Sequence, residues 1–327
     1  MRTLLLLSAL CLALLGCSSG DAPPPPPAAQ TDPVTELRVA IVGAADVDSV
    51  LAVWGEQHEV RVLRAPDRVG ASLVEFDAWE WASVDPADFQ AIEGRERALA
   101  WRRDTWWIFT RPGVAAPDAA ELARMGESFG RVRDREGERG PFLAMALVDG
   151  AWPAADEAAV APRLDSESLV ELAAYFGRLG RRARSFDASD PAANFEGVVA
   201  LLAPRSFAHR AGLIADGWSA TPVLGLRDAS GSRPARERLL AVPVGAAQSD
   251  LARELARDLA EIFGQRRTLD GWEGPGSARS REVLPMVPQD AAAFAEHLEE
   301  ALDAILDRRR SAEDAMRQAQ SRWQAGP

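Results

Sequence analysis

A series of short apolar runs constrains this chain more than any other feature, because runs of that length and density suit buried strands. The first, Leu37–Val42 (LRVAIV), lacks the alternation of a strand wetted on one face and reads as a buried parallel strand. Gly43 turns the chain, and Asp46 is placed to cap a helix carrying Val50, Val53 and Trp54 on one face. Glu59–Arg64 (EVRVLR) then completes a strand–helix–strand unit. Further strands are expected at Ala71–Phe76, Thr105–Thr110 (TWWIFT), Phe142–Val148 (FLAMALV), Val198–Ala203 and Leu239–Pro243.

Helical spacing fills the gaps. Pro117 opens a helix with Leu122, Met125 and Phe129 on one side, and Leu169, Leu172, Phe176 and Leu179 form a second stripe ending at Gly180. Ser249 caps a helix bearing Leu251, Leu255, Leu259 and Ile262, which Gly264 ends. Phe294, Leu298, Leu302 and Ile305 make another stripe, and Met316, Ala319 and Trp323 follow a cap at Ser311. The charged stretch Arg131–Arg139 reads as a solvated loop or helix end, and Arg308–Arg310 as a solvated connection. The class is α/β with a helical C-terminal end.

Composition removes many chemistries. All 37 basic residues are arginines, so a Walker-A lysine, Schiff-base chemistry and a Ser-x-x-Lys nucleophile are excluded. The formal net charge of -12 argues against a nucleic-acid partner. His58, His209 and His297 have no close Cys or His partners in the sequence, so no metal site is expected. No Gly-x-Ser-x-Gly occurs, and a carboxylate pair such as Asp77 with Asp270 would be an arbitrary choice among 49 acids. No catalytic residue and no cofactor is expected.

The N-terminal MRTLLLLSALCLALLGC has one arginine, an apolar run from Leu4 to Leu15 and a small-residue end, the pattern of a secretory signal. Leu14-Leu15-Gly16-Cys17 resembles the bacterial lipoprotein box, which implies that residues 1–16 are removed and Cys17 is acylated. A plain signal peptide with an incidental cysteine is the competing reading. Residues 17–33, with Pro23 to Pro27 in a row, read as a stiff tether. The expected location is outside the cytoplasm, on a membrane through the lipid.

Four stretches, in this order, resemble the extracellular solute-binding proteins of ABC importers, sugar-binding type. They are TWWIFTRP with the following PDAAEL, ANFEGVVALLAP, LLAVPVGAAQSDLARELARDLAEIF, and AILDRRRSAEDAMRQAQSRWQ. The resemblance implies a two-lobed periplasmic-binding-protein-like fold with a hinge, the chain crossing near Thr110 and again near Pro243. It implies a first lobe from residues 34–110 and 241–288, a second from 111–240, and C-terminal helices (289–327) packing on the second. The implied partners are a carbohydrate-like small solute and an ABC permease, with the protein itself a monomer. The chain departs from the pattern in being shorter and in lacking a glycine-rich entry to the TWWIFT strand.

Ten tryptophans against one tyrosine suit such a role, since flat indole faces pack on the apolar faces of sugar rings. The ligand-binding candidates are Asp46, Asp77, Trp79, Trp152, Arg205, Phe207 and Trp272, with Trp79 and Trp152 expected to line the cleft. Core packing competes for each tryptophan, and of Trp106 and Trp107, alternating on one strand, only one could reach a cleft. A binding scaffold that has lost its ligand and serves as an interaction or sensory lipoprotein is the alternative function.

Overall fold

A computed structural model describes residues 35–41, 45–133, 137–155, 162–226, 233–265, 282–288 and 290–325. The strands are β1 (Thr35–Ala40), β2 (Val60–Arg64), β3 (Leu73–Asp77), β4 (Phe89–Gln90), β5 (Ala98–Thr110), β6 (Phe129–Arg133), β7 (Arg184–Asp187), β8 (Ala200–Pro204), β9 (Ser219–Pro222), β10 (Arg233–Pro243) and β11 (Glu282–Val283). The helices are α1 (Ala45–Gln57), α2 (Ala78–Ala82), α3 (Ala119–Met125), α4 (Arg139–Val148), α5 (Glu167–Gly180), α6 (Arg205–Arg210), α7 (Ser249–Gln265), α8 (Ala291–Leu306) and α9 (Ala312–Ala325). None of the described helices is long and apolar enough to cross a membrane.

The strands form one hydrogen-bonded sheet in the order β2-β1-β3-β10-β5-β8-β6-β7. Its two halves share the 13-residue β5. Ala98 to Thr105 pair with β10, and Trp106 to Thr110 pair with β8. In the first half β1 and β3 run parallel, while β10 lies antiparallel between β3 and β5. Strand β1 alternates, with Leu37 and Val39 buried and Arg38 exposed, rather than being buried throughout, and Val42 lies outside the described residues. The register shifts between Arg238 and Leu239, a bulge that re-aims the residues beyond it.

Each half has its own core. Val39, Leu73 and Leu240 from the sheet meet Val47, Leu51 and Trp54 of α1 and Leu255 and Leu259 of α7. In the second half the alternation along TWWIFT splits its side chains by period two. Trp106 and Ile108 join a large core with α4, α5, α8 and α9, and Trp107 and Phe109 join a smaller one with Leu201 and Phe207.

Several expectations are corrected. Phe142–Val148 is the body of helix α4, not a strand. It is buried on every side, so it shows no polar face, and its Ala, Leu and Met content favours helix once Pro141 occupies the first turn. Phe129 lies in β6 rather than on the helix after Pro117, which starts later, with Asp118 as its N-cap. Val53 points to solvent. The Arg131–Arg139 stretch is neither a solvated loop nor a solvated helix end where it is described. Arg131 and Glu138 are both buried and form a two-bond ion pair, at 2.6 and 2.7 Å. The Ala193–Pro204 segment turns at Gly197 (φ 79°) into buried β8 as expected, with Leu201 buried and Phe195 partly buried, but no helix precedes it.

Candidate ligand-binding site

Where β5 and β10 pass between the halves, the structure holds a cavity of about 320 Å³. Ala78 and Trp79 of α2 wall it on the first-half side, Gly140, Leu143, Ala144 and Leu147 of α4 on the other. Trp106 of β5, Pro234 to Glu237 of β10 and Leu284 to Val287 complete the lining. The size lies at the small end of small-molecule sites, and the wall is mainly apolar with two indoles and two charges, the usual composition of such a pocket.

Trp79 is held there by a cap. Asp77 ends β3 and accepts from the backbone N–H of Trp79 and Glu80 at 2.8 and 2.9 Å, while Glu80 Oε2 accepts from the Asp77 N–H at 3.0 Å. This capping box fixes the short helix on which Trp79 stands. Burial alone would raise the Asp77 pKa, but Arg236, Arg238 and the Glu80 N–H outweigh it and hold the carboxyl below its ordinary 3.8. Arg236 approaches Asp77 to 3.7 Å, and Arg103 approaches Glu237 to 3.4 Å. Behind them Arg102 grips Glu75 at 2.9 Å, both fully buried. Both charged liners are thus tied to the protein itself, and the two indoles, 3% and 4% exposed, are core residues whose rings form part of the wall.

Trp79 also borders a second hollow with Ser83, Arg139 and Ala291, so its ring is a partition between two spaces. The Arg139 guanidinium stands 4.7 Å from that ring. The Trp79 Nε1–H is buried and has no hydrogen-bond partner among the described residues. Such a donor costs about 1–3 kcal/mol until something accepts from it.

The candidates from the sequence separate sharply. Trp79 lines the cavity. Trp152 sits one layer behind, 6.1 Å from Trp79 and 5.5 Å from Phe294 between ring centroids, donating to the Met286 carbonyl at 3.1 Å. Asp77 is buried and acts through its cap. Arg205 is half-buried at the start of α6, 5.9 Å over the Trp107 ring, and does not line the cavity. Phe207 is fully buried in the Phe109 core, because α6 turns its apolar face onto β5 and β8. Asp46 is the second residue of α1, and its side chain is not described. Trp272 and Cys17 lie outside the described residues. Sequence reasoning missed Leu143, Leu147, Arg236, Glu237 and Met286. The apolar FLAMALV helix and the charged turn into LLAVP carried the only signals for four of them.

No protein-family model matches the chain, and no curated protein sequence matches it. Solved structures do. An ABC substrate-binding protein from Listeria monocytogenes in complex with cycloalternan superimposes with a TM-score of 0.63 at 12% identity, over 88% of this chain and 97% of that one. The GacH receptor of Streptomyces glaucescens, solved unliganded and with acarbose, gives 0.62 at 13% over 90% and 98%. An ABC transporter solute-binding protein from Thermotoga lettingae bound with alpha-D-tagatose gives 0.64 at 12% over 88% and 97%. At these identities the likeness concerns the fold. The chain has the two-lobed periplasmic-binding-protein fold, with the cavity at the seam between its halves.

Proposed function

We propose that the chain is an extracytoplasmic solute-binding protein that holds a small carbohydrate-like solute at this seam and delivers it to an ABC importer. The observation that carries the reading is the cavity itself, with the Trp79 and Trp106 indoles in its wall beside Arg236 and Glu237. Indole faces cover the apolar faces of a sugar ring, and its hydroxyls can both donate and accept. Among the described residues the lining is mainly apolar, with Glu237 its one carboxylate and that held by Arg103, which suits holding a molecule. The structural neighbours bound with cycloalternan, acarbose and tagatose support the same class of solute. The volume suits one or two sugar rings.

A panel of mono- and disaccharides, read by thermal shift and intrinsic tryptophan emission, tests the reading. A solute that binds at a hundredfold excess over its Kd adds about 2.7 kcal/mol to stability and raises Tm. Trp79→Phe keeps an aromatic ring but shortens the wall it forms, and is expected to weaken that solute by about 1 kcal/mol. Silence of both signals across the panel, from a folded protein, would overturn the carbohydrate assignment and favour a scaffold without a ligand.

Anchoring through an acylated Cys17, with residues 17–33 as the tether, belongs to the same proposal, as does a monomeric state. Cys17→Ser is expected to move the protein from the membrane to the soluble fraction. An unchanged membrane fraction, with no lipid mass on the N-terminal peptide, would refute the anchor.

A further inference from the structure

On the first half of the sheet, away from the cavity, α1 and α7 bring together three side chains that the sequence keeps far apart. His58 follows the last residue of α1, and Glu254 and Asp258 stand four residues apart on one face of α7. One nitrogen of His58 and one oxygen of each acid all lie within 4.8 Å of one another. None of the three lines the cavity. We infer that His58, Glu254 and Asp258 form a binding site for a divalent transition-metal cation, Zn²⁺ in the first instance.

Three features of the geometry favour a metal over a surface ion pair. The first is the tautomer. His58 Nδ1 lies 2.8 Å from the Trp54 carbonyl, and a carbonyl can only accept, so the ring proton is on Nδ1. In the neutral ring that leaves the lone pair on Nε2, the atom that faces Glu254. Imidazoles that bind metals are usually oriented in this way, with the other ring nitrogen donating to a carbonyl or carboxylate.

The second is the separation. His58 Nε2 stands 3.5 Å from Glu254 Oε1. That is long for an N–H···O hydrogen bond. It is close to the spacing of two donors sharing one tetrahedral zinc, about 3.3 Å when each bond is about 2.0 Å.

The third is the support behind the donors. The buried Trp54 indole stacks on the His58 ring at 3.9 Å and 16°, fixing the plane of the imidazole. The same indole donates from Nε1 to Asp258 Oδ2 at 2.8 Å, which holds that carboxylate and leaves its second oxygen available. Trp54 therefore orients two of the three donors. Glu254, with 48% of its side chain exposed, completes the set from the solvent side at the separation already given.

One imidazole and two carboxylates suit zinc and its neighbours in the first transition row better than magnesium or calcium, which prefer oxygen alone. The fourth position of a tetrahedral site stays open to water.

The test is a calorimetric titration of the purified full-length chain, without a histidine tag, with zinc chloride at pH 7.5. The expected result is one zinc per chain, weakened at least tenfold by His58→Gln. Asp258→Asn keeps an oxygen for the Trp54 N–H and is expected to weaken binding by a similar factor. Cobalt in place of zinc should give the intense visible absorption of a low-coordinate site, lost in the same variants. If the variants retain their far-UV dichroism, the comparison stands. No binding, or binding of several ions that is indifferent to His58→Gln, would overturn the site. The outcome is independent of the sugar panel, since the two sites share no residue.

Discussion

The core under the first half of the sheet and the seam beside it hold the same strands by opposite means. Under the sheet, Leu37, Val39, Leu73, Leu240, Leu255 and Leu259 are fully buried in an aliphatic cluster. At the seam the buried groups are Glu75, Asp77, Arg102 and Asp104, and Ser206 donates its backbone N–H to Asp104 at 3.1 Å. Apolar contact is non-directional and tolerates a small slide of one surface on another. A buried ion pair does not, because either partner left alone carries the full cost of burial. The core thus supplies adhesion, and the seam fixes how β3, β5 and β10 line up around the cavity.

Breaking the seam should cost most. Glu75→Ala leaves the Arg102 guanidinium buried without the carboxylate that grips it, and is expected to lose about 3–5 kcal/mol in urea denaturation. A loss under 1 kcal/mol would mean that water reaches Arg102 and that the seam is not a dry lock. Leu255→Ala, in the fully buried aliphatic core, is expected to cost about 2–4 kcal/mol, with no change in solute affinity. If Leu255→Ala also abolished binding while the fold persisted, the division of labour between core and seam would be wrong.

The smallest effect sharpens the contrast by pH. Asp77→Asn keeps a capping oxygen but removes the charge beside Arg236, and should cost on the order of 1–2 kcal/mol at neutral pH. The folded pKa of Asp77 is held below 3.8, so its contribution is complete well above that value and is lost as pH falls through the folded pKa. The stability curves of the two proteins should therefore converge below about pH 3.8. Curves that stay parallel into acid would show that the charge of Asp77 contributes nothing.

The same contrast explains what could be read from the sequence. Strands were legible at Thr105–Thr110 and Leu239–Pro243, because a strand inside a sheet is apolar at most positions, and at Leu37–Ala40, where Leu37 and Val39 alone face the core. FLAMALV satisfied the same rule as a helix buried all round, and no periodicity separates the two. Arg131 and Glu138 were opaque for the converse reason. A buried ion pair is written in the residues of a solvated loop, and only tertiary structure reveals that the partners face each other. Trp79 and Phe207 both follow strand ends and both pack into cores, and only Trp79 also reaches the cavity wall, a difference that the sequence does not show. The grouping of His58 with Glu254 and Asp258 spans α1 and α7, so no local spacing could announce it.

One feature of the sheet bears on how the molecule comes to exist rather than how it holds. Val74 of β3 pairs with Ala241 of β10, and Leu99 of β5 pairs with Leu240, so the strand between β3 and β5 is made long after both of them. During synthesis the first half has an open slot, with two unpaired strand edges facing it, until residue 243 is available. Contacts so distant along the chain slow folding, because the loop entropy must be spent before the pairing repays it. A chain interrupted before β10 would offer that slot to any extended peptide, its own copies included. Chaperone capture of the nascent protein should therefore persist until β10 has been made and then fall away.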